Sequence, residues 1–389
     1  MTVNPKHIFV FAGEPSGDLL GEGLVCALKK QQPDLRIDGV AGPRMRAAHI
    51  SGPLVMEDFA VMGFSDVLRS LPRLYWQFLT VRRTILNSTP DAVVLIDYPG
   101  FNLRMAKSLR AKNYQGKIIQ YVSPSVWAWG PERAVEMGKS YDLLMTIYPF
   151  EKAYFSKTPL KVCYVGSPVK EKIAVYSYQD KWKSALSIPE SPHLIALFPG
   201  SRAGEIARNL PLMLEAASLL KLKHPEAVFG ISCATDSTRK KIQDIINRFQ
   251  VLKQAIFLVP GIYTYELMRD SRCALAKSGT VTLELALHCC PTVVIYQLTM
   301  LNRWYAKYIM KTNLPHYCIV NIFLGKEVFP ELIKQGLTIG NIYKHLENLY
   351  FNHSRREKCI QECQDLCREI GTGNASTSAA EAVLTQVMQ

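Results

Sequence analysis

The stretch Val93-Val94-Leu95-Ile96-Asp97-Tyr98-Pro99-Gly100-Phe101-Asn102 does most to constrain what this chain can fold into. Its four leading apolar residues, rich in branched side chains, read as a strand buried on both faces, the habit of parallel sheets. The strand stops at a carboxylate, Pro99 and Gly100 break the chain, and a helical pattern resumes at Phe101. In an open α/β sheet, ligands bind beyond the carboxyl ends of the strands, which aims Asp97 at a cleft. The competing reading is that Asp97 only caps the helix that follows.

The same order of strand, small-residue loop and helix recurs along the chain. His7 to Ala12 reads as a first buried strand, Gly13-Glu14-Pro15-Ser16-Gly17-Asp18 as a tight loop, and Leu19 to Lys30 as a helix. This is a βα unit without the G-x-G-x-x-G fingerprint or a P-loop, so Asp18 can equally be a helix cap. Arg36 to Val40, Lys117 to Val122, Tyr141 to Ile147 and Val162 to Val165 continue the strands of the first half, with a short helix at Phe150 to Lys157. Ser123 to Gly130 carries Trp127 and Trp129 at another carboxyl edge, suited to a sugar or acyl-chain wall or to packing. The first domain is expected to span 1–168.

In the second half, Leu194 to Phe198 is a strand and Pro199-Gly200-Ser201-Arg202-Ala203-Gly204-Glu205 a loop before a helix from Ile206 to Lys223. Small residues at a helix N-terminus leave N–H groups for a phosphate, and Arg202 adds a fork of charged donors. Ala227 to Ile231, Ile256 to Val259, Cys273 to Ala276 and Thr292 to Tyr296 read as later strands. Ser278, Gly279 and Thr280 form a further loop, with Glu284 about one turn into the next helix. The second domain is expected over 169–345, with helices over 346–389. Cys359, Cys363 and Cys367 share one helix face and read as buried thiols, and no metal site is expected.

At 389 residues the chain suits two domains, and 48% hydrophobic with 20% charged residues excludes a disordered protein. Forty-six basic against 33 acidic residues leave a net charge of +13, which calls for an anionic partner. The opening residues lack a signal-peptide core and ten cysteines suggest reduced thiols, so a cytoplasmic protein is expected. No apolar run is long enough to span a bilayer, and membrane contact would be peripheral. Residues 64–83 suit such contact: Arg69, Arg73, Arg82 and Arg83 are interleaved with Leu74, Trp76 and Phe78. A core helix with a basic wet face is the simpler alternative.

The segments Gly13-Glu14-Pro15-Ser16-Gly17-Asp18, Gly42-Pro43-Arg44-Met45, Met62-Gly63, Tyr121 to Trp129, Pro149-Phe150-Glu151 and Pro199-Gly200-Ser201-Arg202 resemble, in order, lipid-A-disaccharide synthases. The resemblance implies a GT-B glycosyltransferase: two Rossmann-like domains facing a central cleft, with C-terminal helices. It implies condensation of UDP-2,3-diacylglucosamine with 2,3-diacylglucosamine 1-phosphate, giving a β-1,6-linked tetraacyl disaccharide 1-phosphate and UDP. The family's essential Asp falls on Asp97 and its essential Arg on Arg202; a homodimer with exchanged C-terminal segments is also implied. The chain departs at Gly166-Ser167-Pro168, where the family often reads Gly-His-Pro, and at Val320-Asn321 and Lys326.

On this footing Asp97 is the expected general base and Arg202 stabilises the leaving UDP without a metal or other cofactor. Expected substrate or UDP contacts are Ser16, Gly17, Asp18, Gly200, Ser201, Glu205, Ser278, Gly279, Thr280, Glu284 and Asn321. Expected partners are the two acylated sugars and an anionic membrane, at the cytoplasmic face of the inner membrane, with no nucleic acid. Two alternatives stand beside this: a related UDP-sugar 2-epimerase, and a non-enzymatic basic protein binding membrane or nucleic acid.

Overall fold

The computed structural model describes residues 6–59, 64–126, 132–233, 235–297, 315–371 and 373–388, and within them the side chains at 64–71 are not described. Two compact units emerge: Met1–Glu171 with Thr372–Gln389, and Lys172–Gly371. Both are α/β.

The first unit is built on β1 (His7–Ala12), β2 (Arg36–Val40), β3 (Ala92–Ile96), β4 (Lys117–Tyr121), β5 (Leu143–Thr146) and β6 (Lys161–Tyr164). All pair in parallel, in the order β2-β1-β3-β4-β5-β6. Successive side chains alternate faces, so both faces of β1 and β3 are core. Ile8, Val10, Val94 and Ile96 pack against Leu24, Val25 and Leu28 of the helix Pro15–Gln31. Phe9, Phe11, Val93 and Leu95 pack on the other side against Val81, Ile85, Met105 and Leu109. Each such fully buried side chain contributes about 1.5–3 kcal/mol.

The second unit holds β7 (Leu194–Phe198), β8 (Val228–Cys233), β9 (Ile256–Pro260), β10 (Cys273–Lys277), β11 (Thr292–Tyr296) and β12 (Glu331–Ile333). Their order is β12-β11-β10-β7-β8-β9, again all parallel. Thr292–Tyr296 is not the edge of this sheet, because β12 pairs on its outer side. The long helix Ala203–Lys223 covers one face through Leu210, Met213, Leu214 and Ala217.

The C-terminal helices do not travel together. Ile339–Phe351 and His353–Glu369 belong to the second unit, whereas Ala375–Val387 packs in the first, with Ala379, Ala380, Val383 and Val387 in its core. Glu171 ties that last helix down, accepting hydrogen bonds from the Ser376 N–H (3.1 Å) and hydroxyl (2.7 Å). Cys359 and Cys363 are fully buried.

In each sheet the chain winds outward in both directions from a central pair of strands. That pair is β1 and β3 in the first unit, β7 and β10 in the second. Loops leaving the two strands part at such a switch point, and the gap between them is where α/β sheets take ligands.

Candidate functional site

At the first switch point, register places Ala12 beside Ile96, so the loops after β1 and β3 begin side by side. The helix after β1 starts at Pro15 and not at Leu19, because Pro15 suits a first helical turn. That puts Ser16 in the first turn, and its hydroxyl donates to Asp97 Oδ2 at 2.7 Å. Asp97 Oδ1 has no hydrogen-bond partner among the described residues. The capping alternative for Asp97 fails: Tyr98 holds the N-cap position of the helix Pro99–Arg110, and that end has no side-chain cap.

The turn itself is strained. Asp97 and Tyr98 have φ of 51° and 42°, the left-handed region, at about 1–3 kcal/mol for each such residue. Gly13 makes room for it, since a Cβ there would lie 2.6 Å from the Tyr98 ring. Beside this turn a pocket of about 200 Å³ is lined by Gly100, Leu103, Arg104, Lys107, Gln120 and Arg133. Its lining carries three cations, Lys107 being paired with Glu136 at 2.8 Å.

At the second switch point, the loops after β7 and β10 are joined by charge. Lys277 Nζ lies 3.3 Å from Glu205 Oε1, and the Ser201 N–H donates to Glu205 Oε2 at 3.3 Å. Burial pushes the Glu205 carboxyl up, but Lys277, the Ser201 N–H and Arg202 together hold it below its ordinary value. Gly200 has φ of 116°, and a Cβ there would meet Glu205 Oε2 at 2.6 Å. Glycine is therefore required. Arg202 is the N-cap of Ala203–Lys223; its side chain is 86% exposed and 3.8 Å from Glu205, so it is open to a ligand.

Ser278, Gly279 and Thr280 follow β10, with Gly279 and Thr280 exposed. Glu284 stands one turn on, where the Tyr265 hydroxyl donates to its Oε1 at 3.1 Å. Burial raises the Glu284 carboxyl despite Tyr265 and Lys172. Farther along the same edge, at the ends of β8 and β9, a pocket of about 380 Å³ is lined by Thr235, Asp236, Arg239, Leu258, Pro260 and Ile262.

Three expected ligand contacts are occupied within the protein, the first being Glu205, whose two oxygens are taken by Lys277 and the Ser201 N–H. Asp18 is buried, and its carboxylate accepts the N–H groups of Gly42, Arg44 and Met45 at 2.9, 2.9 and 3.1 Å. It caps the helix Pro43–Ala47 instead of meeting solvent. Asn321 is fully buried and latches the segment before β12, donating to Phe329 O (2.7 Å) and Glu331 Oε1 (2.6 Å) while accepting from Val328 and Phe329 N–H. Gly17 is buried as well. Lys326 pairs with Glu362 at 3.2 Å, and Ser167 is buried, its hydroxyl accepting the Lys170 N–H at 3.4 Å.

The arginine-rich segment lies in the helix Phe64–Ser88. Tyr75 and Trp76 are 65% and 60% exposed, and Arg73 and Arg83 are exposed with Leu74 half-buried. Phe78 and Arg82 depart from the expected membrane face. Phe78 packs edge-on against Phe101 at 5.4 Å, and Arg82 donates to the Ser108 hydroxyl at 2.9 Å. The Arg69 side chain, Trp127 and Trp129 lie outside the described residues. No helix among the described residues is long and apolar enough to cross a membrane.

Sequence reasoning passed over Lys277, Tyr265 and the β8–β9 pocket. A lysine closing a strand beside Ser278-Gly279 was a usable signal; the other two depend on contacts between distant segments.

The family described as lipid-A-disaccharide synthetase matches residues 8–386. The lipid-A-disaccharide synthase of Chlamydia pneumoniae is 39% identical over 95% of this chain, which spans 61% of that relative's length. The synthase of Azotobacter vinelandii is 34% identical over 97% of both chains. Among solved structures, a putative UDP-N-acetylglucosamine 2-epimerase from Listeria monocytogenes superposes with a TM-score of 0.64 at 13% identity, covering 98% of this chain and 95% of its own. The glycotransferase of kitacinnamycin gives 0.64 at 12%, covering 99% of this chain and 100% of its own. These two likenesses carry the GT-B type of α/β fold, and the sequence matches carry more: the chain belongs to the lipid-A-disaccharide synthetase family.

Proposed function

We propose that this chain is an inverting glycosyltransferase that condenses UDP-2,3-diacylglucosamine with 2,3-diacylglucosamine 1-phosphate. The products are the β-1,6-linked tetraacyl disaccharide 1-phosphate and UDP. The observation that carries the reading is Asp97, held by Ser16 at the switch point of the first sheet with its second carboxylate oxygen free among the described residues. A carboxylate so presented takes the proton of the acceptor's 6-hydroxyl as that oxygen attacks the anomeric carbon. The basic pocket beside it offers counter-charge to the acceptor's phosphate.

The second unit suits the donor. Arg202 and the N–H groups at the head of Ala203–Lys223 stabilise the diphosphate and the charge that develops on it as UDP leaves. Gly200, Ser201, Ser278, Gly279 and Thr280 line that approach, and Glu205 with Lys277 keeps the two loops in register. Glu284, oriented by Tyr265, accepts from the ribose hydroxyls. The β8–β9 pocket has room for the uracil. Both substrates are acylated, so the enzyme works at an anionic membrane surface, which Arg73, Leu74, Trp76 and Arg83 of Phe64–Ser88 approach. It does so peripherally, on the cytoplasmic face of the inner membrane, as a homodimer.

The test is conversion of the two acylated sugars by purified protein in EDTA. Folded protein that forms no disaccharide overturns the proposal, and interconversion of UDP-N-acetylglucosamine without a lipid acceptor replaces it with an epimerase. Asp97→Asn lowers turnover by about 10²–10⁴-fold with UDP affinity retained. Full turnover in that variant removes Asp97 as the base.

A further inference from the structure

The Asp97 turn is matched by a second one on the neighbouring strand. Ile96 and Tyr121 are register partners at the ends of β3 and β4, and beyond them Val122 has φ of 75°. Asp97, Tyr98 and Val122 are thus left-handed without a glycine among them, a conformation that bulky and β-branched residues avoid. Such turns aim carbonyls away from the ladder, and those carbonyls must find other donors.

Two buried amides supply them. Gln120 Nε2 donates to Asp97 O at 3.1 Å and to Val122 O at 3.0 Å, with a longer 3.3 Å approach to Tyr121 O. Asn102 Nδ2 donates to the same Asp97 carbonyl, and to Gln120 Oε1 at 3.2 Å. On the other side of the residue, the Asp97 N–H donates to Tyr121 O at 2.8 Å. Asn102 and Gln120 are 0% and 1% exposed, and Asn102 Oδ1 has no partner among the described residues. An apolar pair would be the less costly filling for such a site, so the amides are there for what they hold. What they hold is the peptide whose rotation would swing the Asp97 side chain.

We infer that Gln120 and Asn102 are positioning residues: a buried amide clamp on the main chain of two strained strand ends that fixes the direction of the Asp97 carboxylate. The inference rests on the proposed role of Asp97 as base. Both act through Asp97: Asn102 is fully buried, and Gln120, though it underlies the basic pocket, spends its amide N–H groups on main-chain carbonyls.

The experiment measures kcat and KM with the two acylated sugars for wild type, Gln120→Met, Asp97→Asn and the double variant. Met keeps the length of Gln but donates nothing. Gln120→Met is expected to lower kcat by about 10²-fold, as a misplacement near 1 Å does, with KM and UDP affinity unchanged. On the Asp97→Asn background the same change is expected to add no further loss, since nothing is left to position. If Gln120→Met does not fold, Gln120→Glu serves: it donates only when protonated, so its turnover relative to wild type is expected to climb as pH falls. An unchanged kcat overturns the inference, as does an equal fractional loss on the Asp97→Asn background or a pH-independent ratio. Loss of UDP affinity along with turnover overturns it too, marking the clamp as structural alone. A wild type inactive on these sugars defeats the proposed reaction; an active wild type with unaffected variants defeats only the clamp.

Discussion

At the switch point of the first sheet the two loops are joined by a hydroxyl and a carboxylate, Ser16 and Asp97. At that of the second they are joined by an ion pair, Glu205 and Lys277. The backbones differ in the same places. The first turn is left-handed at Asp97 and Tyr98, whereas the second puts Gly200 at its left-handed position. Each turn borrows a buried asparagine from the following helix: Asn102 donates to Asp97 O, and Asn209 to Pro199 O at 3.0 Å. On the proposed roles, the difference follows from what each loop presents. A loop that offers backbone N–H groups and an exposed arginine to a phosphate can use glycine and avoid strain. A loop that offers a side chain for proton transfer must keep that side chain, and its strain is met by buried amides.

The largest effect that tests this division is on UDP binding. Arg202→Ala is expected to cost about 1.5–3 kcal/mol of UDP affinity, the worth of a charged hydrogen bond. Ser16→Ala is expected to leave UDP affinity unchanged and to lower turnover. Calorimetric titration of UDP into both variants checks the pair. A weaker grip on UDP in Ser16→Ala, with none lost in Arg202→Ala, would reverse the roles assigned to the two loops.

Strain gives the next effect. Gly200→Ala forces φ of 116° on a residue with a Cβ and drives that Cβ to within 2.6 Å of Glu205 Oε2. A loss of about 1–3 kcal/mol in unfolding free energy is expected. Val122→Gly in the first unit relieves a φ of 75° while giving up a branched side chain and adding unfolded-state freedom, and is expected to be closer to neutral. Equal losses in denaturant titrations would mean that the two turns carry their strain alike.

Much of this architecture was legible because a parallel strand buried on both faces cannot hide among polar residues. Ala92 to Ile96 are all fully buried, and their apolar run announces β3. The strand β12 gave no such signal, being three residues long and opening on Glu331. The phosphate-type loops were legible as small residues between strand and helix. The partners of Asp18 lie 24 to 27 residues away and those of Asn321 7 to 10, and no local pattern announces where a buried polar side chain will find its donors. Gln120, one amide inside an apolar strand, is the residue whose oddity carried information, since a polar side chain in such a run needs something buried to bind.

The smallest effect separates the two acids of the second unit by sign. Glu205 has a depressed folded pKa: burial raises it, but Lys277 and the neighbouring donors outweigh burial. Its contribution to stability is present above the unfolded value, near ~4.3, and is lost as pH falls through the folded one. Glu284 has a raised folded pKa, because burial outweighs the Tyr265 hydrogen bond and Lys172. Its contribution is fully present below ~4.3 and is lost as pH rises through the folded value. Glu205→Gln should therefore flatten the acid side of the stability–pH curve, and Glu284→Gln the side above it. Solvent screening at the loop edge keeps the Glu205 change below about 1 kcal/mol. Chemical denaturation of wild type and both variants between pH 3 and 7 reads the slopes (a window of roughly the carboxylate range). Slopes altered in the same direction by the two substitutions would show that Lys277 does not set the charge of Glu205, and with it would go the account of how the second switch point is held without strain.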